Sequence, residues 1–196
     1  MNYLAHFFLA SDQGNARLGG FLADFVRGDD KQQYSKEIQF EIHIHKLIDA
    51  YTDSHPVVLN AKKLVEEKKR RYMGIALDVF YDHKLAQNWN RYSAVSLSEF
   101  TQQTYLILQD NHTLLPKTVR EFVPFLIQED WLTTYKELPG FAKTIRRLSR
   151  RLSRGDILVN CISDVEEQYS AFSVGFEEFF PQLIEYVQLQ RLSGSA

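Results

Sequence analysis

Apolar residues recur at spacings of three and four along most of the chain, and the strict alternation typical of strands is absent. This spacing places apolar side chains on one face of a helix, so the pattern predicts an all-α protein. In the first half of the chain the expected helices cover about 2–11, 15–27, 35–53, 57–71 and 73–92, and a further helix begins at a cap, Ser96 or Ser98, and ends near Asn111. In the second half we expect a helix at about 116–131 and a very basic helix that ends at Arg154. A last long helical segment is expected to be kinked at Pro181.

Glycine and proline mark the expected ends of these segments, because proline disfavours a helical conformation in the residue before it and glycine weakens a helix. The expected breaks are at Gly28, Ser54-His55-Pro56, Pro139-Gly140 and Gly155-Asp156. No linker or internal repeat divides the chain. We therefore expect one compact multi-helix domain over 1–192, followed by a frayed tail at 193–196.

The composition is that of an ordinary globular protein of 196 residues, with 44% apolar and 24% charged residues. Cys161, the single cysteine, excludes an intramolecular disulfide and a cysteine-based metal cluster, and it fits a reducing compartment. The N-terminus lacks the basic start of a signal peptide, and no apolar run approaches the roughly 18 residues that a membrane span needs. We therefore expect a cytoplasmic protein with no membrane partner. The net charge of −2 does not indicate a nucleic-acid partner.

Several acidic and histidine side chains fall inside the apolar stripes. In the helix predicted at 35–53, His45, Asp49 and Asp53 are spaced at i, i+4 and i+8 and therefore share one side. Apolar residues surround most of this helix, which predicts that it lies centrally. A histidine and carboxylates are thus expected in a largely buried setting.

The helix predicted at 73–92 repeats this pattern. Asp78 and Asp82 are i, i+4 neighbours, and His83 lies about 100° further round, at the edge of the same face. Asp24 and His6 also lie among apolar residues, in the first two helices.

These carboxylates need partners, because an unpaired buried charge is too costly for a domain and buried charges are therefore paired or bind a metal. Few lysines or arginines share the stripes, and a divalent cation would satisfy the carboxylates and histidines together. Mixed imidazole and carboxylate ligands suit Mn²⁺, Fe²⁺, Zn²⁺ or Mg²⁺, and such a cation could activate water and polarise a phosphoryl oxygen. The alternative is that these are ordinary core residues, with hydrogen-bonded histidines and with carboxylates that cap helices or form ion pairs.

Four strings carry most of these residues: MNYLAH at 1–6, LADFVRG at 22–28, IHIHKLID at 42–49 with Thr52-Asp53, and LDVFYDH at 77–83 with Trp89. In order and spacing they resemble the acyl carrier protein phosphodiesterase family, which is related to the HD-type metal-dependent phosphohydrolases. The resemblance extends more weakly over most of the chain. Glu41 departs from the family pattern, because a small glycine is usual there, and its charge is expected to alter the shape of the site.

The resemblance implies a fold like that of the HD-domain phosphohydrolases. It also implies hydrolysis of the phosphodiester that joins 4′-phosphopantetheine to a serine of acyl carrier protein, with a divalent cation, for which we expect Mn²⁺, with Mg²⁺ or Fe²⁺ as alternatives. By position in the motifs, the expected metal ligands are His45, Asp49, Asp82 and His83. The expected catalytic residues are His6, Asp24 and Asp78, with the alternative that one of them completes the set of metal ligands. An apolar channel for the pantetheine arm is expected to be lined by Phe7, Phe21, Tyr81 and Trp89.

Two basic runs lie in a chain that is slightly acidic overall, one of which comprises Lys62-Lys63 and 68–71. The members of the other run, most of which share one helix face, are Arg146, Arg147, Arg150, Arg151 and Arg154. Because acyl carrier proteins are acidic, we expect this arginine run to bind the protein partner. The alternatives are a plain solvated helix surface and a nucleic-acid surface, of which the acidic remainder of the chain disfavours the second.

Two other functions stay open on the sequence. An HD-like phosphohydrolase that acts on a nucleotide or another small phosphoester would use the same histidines and aspartates. A non-enzymatic module that binds acyl carrier protein would use the arginine run, and the histidines and aspartates would then be structural.

Overall fold

The computed structural model describes residues 1–12 and 15–194, and the regular secondary structure of this part of the chain is entirely helical. The α-helices are α1 (Tyr3–Leu9), α2 (Ala16–Leu22), α3 (Lys36–Ser54), α4 (Pro56–Lys62), α5 (Arg70–Gln87), α6 (Leu97–Asp110), α7 (Lys117–Gln128), α8 (Trp131–Thr134), α9 (Leu138–Ser149), α10 (Gly155–Glu167) and α11 (Tyr169–Gly194). Short 3₁₀ helices lie at Gly28–Gln33, Glu67–Lys69, Trp89–Arg91 and His112–Leu114. The prediction of a single compact all-α domain is confirmed.

The helix predicted at 57–71 is divided in the structure. Helix α4 ends at Lys62 and α5 begins at Arg70. Between them Val65 is buried, and the backbone of Glu66 departs from the helical conformation, with φ at −53° and ψ at 142°. The charged residues at 66–71 favour a helix by propensity, which is why one continuous helix was predicted at 57–71. The prediction was wrong because propensity does not report the tertiary packing that buries Val65.

Two predicted breaks are helix starts instead. Pro139 lies in the first turn of α9, where its missing N–H needs no partner. A Cβ added at Gly140 would lie 1.8 Å from the carbonyl oxygen of Thr134, so only glycine lets α9 follow α8 this closely. Gly155 begins α10 for the same reason, since a Cβ there would lie 2.1 Å from the carbonyl oxygen of Ser149.

Three helix ends also differ from the prediction. Helix α2 ends at Leu22, so Asp24 follows this helix and does not lie within it. Helix α9 ends at Ser149, and the residues up to Arg154 form turns. Helix α11 includes Ser193 and Gly194 of the predicted tail, whereas 195–196 lie outside the described residues.

Helices α3 and α5 lie centrally, as their apolar surroundings predict. Helix α5 packs against α1, α4, α9, α10 and α11, and α3 packs against α2, α4 and α11. Aromatic rings fill much of the space between them, with Phe7 stacked on Phe21 and Tyr81 in contact with Phe176. Phe7, Phe21, Tyr81 and Trp89 are each at most 2% exposed. They therefore belong to the packed core, and the prediction that they line a channel is wrong.

Glu41 is buried and faces the last helix. Arg191 Nη2 donates hydrogen bonds to Glu41 Oε2 at 2.8 Å and to the Leu9 carbonyl oxygen at 2.8 Å. The backbone N–H of Ser11 also donates to Glu41 Oε1. The Glu41 carboxylate thus ties α11 to α3 and to the end of α1.

None of the helices in the described ranges has both the length and the apolarity needed to cross a membrane. The longest, α11, spans 26 residues and carries glutamate and arginine side chains along its length.

Candidate metal centre

Helices α1, α2 and α3 pack closely because α2 presents two glycines, which have no side chain, to its neighbours. A Cβ at Gly19 would lie 2.6 Å from Glu41 Cβ, and a Cβ at Gly20 would lie 3.2 Å from the His6 carbonyl oxygen. The close approach brings the Gly20 carbonyl oxygen to 2.7 Å from His45 Nδ1. This hydrogen bond fixes the orientation of the His45 ring and leaves Nε2 as the nitrogen available to the site.

Two histidine rings and one carboxylate form the middle of the site. The rings of His6 and His45 stack, with centroids 3.6 Å apart and planes inclined by 13°. Asp49, one turn after His45, places Oδ1 3.2 Å from His6 Nε2 and Oδ2 3.1 Å from His45 Nε2. One ligand atom from each of the three residues lies within 4.8 Å of the others. We call these three residues the His/Asp centre.

The contacts of His45 call for a cation at Nε2. A carbonyl oxygen only accepts hydrogen bonds, so the contact with Gly20 puts a proton on Nδ1. In a neutral ring the lone pair of Nε2 would then face Asp49 Oδ2 at 3.1 Å and Asp24 Oδ1 at 3.4 Å, and the acceptors would repel one another. Without a metal, a proton removes this repulsion: burial lowers the pKa of His45, but hydrogen bonds and charges of Asp24 and Asp49 raise it to about 9.

His6 is buried, and neither ring nitrogen has an aligned hydrogen-bond partner within the described part of the chain. Its Nε2 lies near Asp49 Oδ1 without hydrogen-bond geometry. Burial and the neighbouring His45 lower the pKa of His6 to about 4, against the opposing effect of Asp49. The ring is therefore neutral at pH 7. A neutral imidazole is the form that binds a metal, and a buried polar atom without a partner calls for one.

Three carboxylates lie at the rim of the site and are partly open to solvent. The side chains of Asp24, Asp49 and Asp78 are 45%, 43% and 37% exposed, so these carboxylates are only partly buried and are not enclosed in the core. The amino group of Met1, which the sequence reasoning missed, lies 2.8 Å from Asp78 Oδ1 and 3.5 Å from Asp49 Oδ1. Burial lowers the pKa of this amino group, but Asp78 and Asp49 raise it to about 10, so it is an ammonium at pH 7.

Asp82 is fully buried and anchors the first turn of α1. Its Oδ2 accepts a hydrogen bond from the Leu4 N–H at 2.7 Å, and its Oδ1 accepts one from the Ala5 N–H at 3.1 Å. The N–H groups in the first turn of a helix have no partner inside that helix, and Asp82 supplies one to each of these two. Burial raises the pKa of Asp82 to about 7, against the lowering effect of these hydrogen bonds. Asp82 was expected to be a metal ligand, but both of its oxygens are engaged in holding the helix that carries His6.

Both ring nitrogens of His83 lie within hydrogen-bond distance of residues outside the His/Asp centre. Its Nδ1 lies 2.7 Å from the carbonyl oxygen of Tyr135, and its Nε2 lies 3.0 Å from the hydroxyl of Tyr169. Burial lowers the pKa of this histidine. Because both ring nitrogens already have partners, the structure does not bring His83, an expected ligand, to the His/Asp centre.

The arginine run is divided among three environments. Arg147 pairs with Glu129 and lies over the ring of Trp131, with its guanidinium carbon 3.9 Å from the ring centroid. Arg151 is exposed as well, and it lines a cavity to which Asp24 also contributes. The other members are exposed and form no ion pair within residues 1–12 and 15–194; they are Arg146, Arg150 and Arg154.

The fold and the site together define an all-helical protein with a His/Asp centre suited to a divalent cation. A sequence profile of the family described as acyl carrier protein phosphodiesterase matches residues 1–183. The chain therefore belongs to the acyl carrier protein phosphodiesterase family.

Relatives in three bacteria, each named acyl carrier protein phosphodiesterase, are similar over nearly the whole chain. The relative in Photorhabdus laumondii is 33% identical over 186 residues, which cover 94% of both chains. The relative in Pectobacterium atrosepticum is 33% identical and the one in Serratia proteamaculans 34% identical, each over 193 residues that cover 98% of this chain and 100% of the relative. No solved structure matches the chain significantly, so the likeness to HD-domain phosphohydrolases stays a prediction.

Proposed function

We propose that this protein is a metal-dependent phosphodiesterase that hydrolyses holo-acyl carrier protein to apo-acyl carrier protein and 4′-phosphopantetheine. The observation that carries the proposal is the convergence of His6, His45 and Asp49 on one point. The membership of the acyl carrier protein phosphodiesterase family supports the choice of substrate. In the reaction the bond between phosphorus and the serine oxygen breaks. Water supplies a hydroxyl group to phosphorus and a proton to the serine.

The metal would be held by His6 Nε2, His45 Nε2 and the Asp49 carboxylate, with Asp24 close enough to complete the set. The donor set fits, because two imidazoles and carboxylates suit Mn²⁺, with Mg²⁺ or Fe²⁺ as alternatives. A bound divalent cation lowers the pKa of water and stabilises negative charge on a phosphoryl oxygen. Gly20 contributes by holding His45 in the tautomer that leaves Nε2 free.

Asp78 is the residue we assign to protonate the leaving serine oxygen. It lines the same cavity as Asp24, next to the His/Asp centre. Burial raises the pKa of Asp78, although the Met1 ammonium lowers it. A carboxyl group in this position can transfer a proton to a leaving oxygen, which is the role of a general acid.

The acyl carrier protein would dock on the free arginine surface, defined as Arg146, Arg150 and Arg154. These side chains are exposed and unpaired within the described residues, so their charge is available to an acidic partner. Charge complementarity of this kind mainly raises the rate of encounter and the specificity. Arg147 is left out of this surface because Glu129 and Trp131 engage it.

The test is a turnover assay on intact protein mass. Purified protein is mixed with holo-acyl carrier protein and either MnCl₂ or a chelator, and the mass of the carrier is followed. Loss of the phosphopantetheinyl mass with Mn²⁺, and none with chelator, is expected. Turnover of a nucleotide panel without turnover of the carrier would instead support a small-phosphoester hydrolase. A folded protein that binds no metal, shows no thermal shift with Mn²⁺ and still binds the carrier would support the non-enzymatic module.

A further inference from the structure

A cavity of about 270 Å³ adjoins the His/Asp centre. Asp24 and Asp78 line it, and Asp24 is also the carboxylate near His45 Nε2. Tyr3 and Arg151 line the same cavity. The cavity therefore joins the candidate metal site to a guanidinium group from the start of the 150–154 turn.

A phosphoester is an anion, and two carboxylates line the cavity where it would have to sit. Asp24 and Asp78 repel an anion inside a partly enclosed cavity, where charges interact more strongly than in water. Among the described residues that line the cavity, two carry a positive charge: the Met1 ammonium, which is paired with Asp78, and Arg151. Its planar guanidinium presents parallel N–H donors that match two oxygens of a phosphate.

One aromatic ring contacts the exposed side chain of Arg151. Its guanidinium carbon lies 5.9 Å from the ring centroid of Phe122, within the range of a cation–π contact. Tyr3 lines the same cavity as Asp24 and Arg151, and burial and Asp24 raise the pKa of Tyr3 to about 12, whereas Arg151 lowers it. Arg147, one turn earlier, is turned instead to an ion pair with a glutamate. The arginine run therefore offers one guanidinium to this cavity.

We propose that Arg151 binds the phosphoryl oxygens of the substrate inside the cavity beside the His/Asp centre, and is not part of the surface that docks the carrier protein. The identification of the substrate as a phosphopantetheine ester rests on the proposed function. The class of ligand, a phosphoester or inorganic phosphate, is inferred from the cavity and its lining residues alone.

The test compares binding of inorganic phosphate by titration calorimetry in the presence of MnCl₂ for the wild type, Arg151→Ala and Arg151→Lys. Loss of hydrogen bonds to a charged group is expected to weaken phosphate binding by roughly ten- to a hundredfold in Arg151→Ala. Arg151→Lys is expected to fall in between, because lysine keeps the charge and loses the paired donors. Arg91→Ala is the matched control, since Arg91 is exposed and pairs with Glu177 away from the cavity lining. Its phosphate affinity is expected to equal that of the wild type.

A second measurement separates phosphate binding from docking. Hydrolysis of bis(p-nitrophenyl) phosphate and of holo-acyl carrier protein is measured for the same variants. If Arg151→Ala lowers turnover of the carrier alone and leaves phosphate affinity intact, Arg151 belongs to the docking surface and the inference is overturned. No measurable phosphate binding by the wild type also overturns it. If phosphate binding depends on Arg151 while the wild type does not hydrolyse the carrier, the proposed function fails and this inference stands.

Discussion

The imidazole rings of His6 and His45 stack at 3.6 Å although they come from different helices, and Asp49 reaches the Nε2 atom of each ring with a separate oxygen. A single carboxylate thus links two histidines that are otherwise related only by packing. Two adjacent imidazole nitrogens that face one carboxylate form a candidate site for a divalent cation. This relationship decides which substitutions separate metal binding from folding.

Replacing Asp49 is expected to remove metal binding and leave the fold intact. Outer-shell partners of metal ligands already contribute 10- to 100-fold in affinity, so loss of this shared carboxylate in Asp49→Asn is expected to weaken Mn²⁺ binding by about a hundredfold or more. Titration calorimetry with MnCl₂ measures the change. Asp53→Asn, one turn further along α3, is the control, because Asp53 is exposed and pairs with Lys62. Equal Mn²⁺ affinity in the two variants would contradict the assignment of Asp49.

The affinity for Mn²⁺ is expected to rise with pH up to about 9. Burial lowers the pKa of His45, but Asp24 and Asp49 raise it to about 9, so a proton occupies Nε2 at pH 7 in the metal-free protein. A metal ion must displace this proton, which lowers the apparent affinity by up to about tenfold for each pH unit below 9. Mn²⁺ titrations at pH 7, 8 and 9 measure the slope. A flat profile would show that His45 is not a ligand.

The same raised pKa has a consequence for the stability of the metal-free protein. A histidine whose pKa in the folded state lies above its unfolded value of 6.5 stabilises the fold fully below pH 6.5 and loses this contribution as the pH rises through about 9. We therefore expect the midpoint of urea denaturation of metal-free protein to fall between pH 7 and 9.5. The fall is expected to be smaller in Asp49→Asn, because one of the two carboxylates that raise the pKa is then neutral.

Asp82→Ala is expected to destabilise the fold by about 2 to 5 kcal/mol, because it leaves two buried N–H groups of α1 without a partner. Asp82→Asn, which keeps one acceptor, is expected to lose less. Since the pKa of Asp82 is raised above 3.8 to about 7, its own titration destabilises the wild type as the pH rises from about 4 to 7. Urea denaturation at pH 5 and pH 7.5 should therefore show a smaller difference for Asp82→Asn than for the wild type. An unchanged midpoint in Asp82→Ala would contradict the anchoring role.

His83→Gln is expected to bind Mn²⁺ with the affinity of the wild type and to be less stable by about 1 to 3 kcal/mol. Both ring nitrogens of His83 are hydrogen-bonded to tyrosine oxygens, and glutamine does not reproduce both contacts. Calorimetry with MnCl₂ and urea denaturation check the two parts separately. A large loss of Mn²⁺ affinity would restore His83 to the ligand set.

Reversing charge on the free arginine surface is expected to raise KM for holo-acyl carrier protein and to weaken the dependence of kcat/KM on salt. The variant is Arg150→Glu with Arg154→Glu, because both side chains are exposed and without an ion pair within the described residues. Steady-state assays at 20 and 200 mM NaCl measure both effects. Arg91→Glu is the control for a change in net charge alone. An equal rise in KM in this control would mean that no local docking surface exists.

The sequence sufficed to predict helices and the shared face of His45 and Asp49, because both depend on a periodicity that is visible in the chain. It could not separate Asp82 from Asp78. The two have the same spacing and similar neighbours, and only the docking of α1 makes one a buried anchor and leaves the other at the rim. His83 illustrates the same limit, since its angle on the helix allows it to face either the site or Tyr169. The breaks at 63–66 and at Gly140 likewise depend on packing between helices, which periodicity does not report.

The Glu41–Arg191 pair has a consequence for the order in which the protein takes shape during synthesis. All the candidate ligands lie in the first quarter of the chain, and the ribosome delivers them early. Glu41, which is 2% exposed in the finished protein, has no cationic partner until Arg191 emerges. The same arginine also binds the Leu9 carbonyl oxygen at the end of the helix that carries His6. The ion pair that joins Glu41 and the end of α1 to the last helix therefore forms only after nearly the whole chain has left the ribosome.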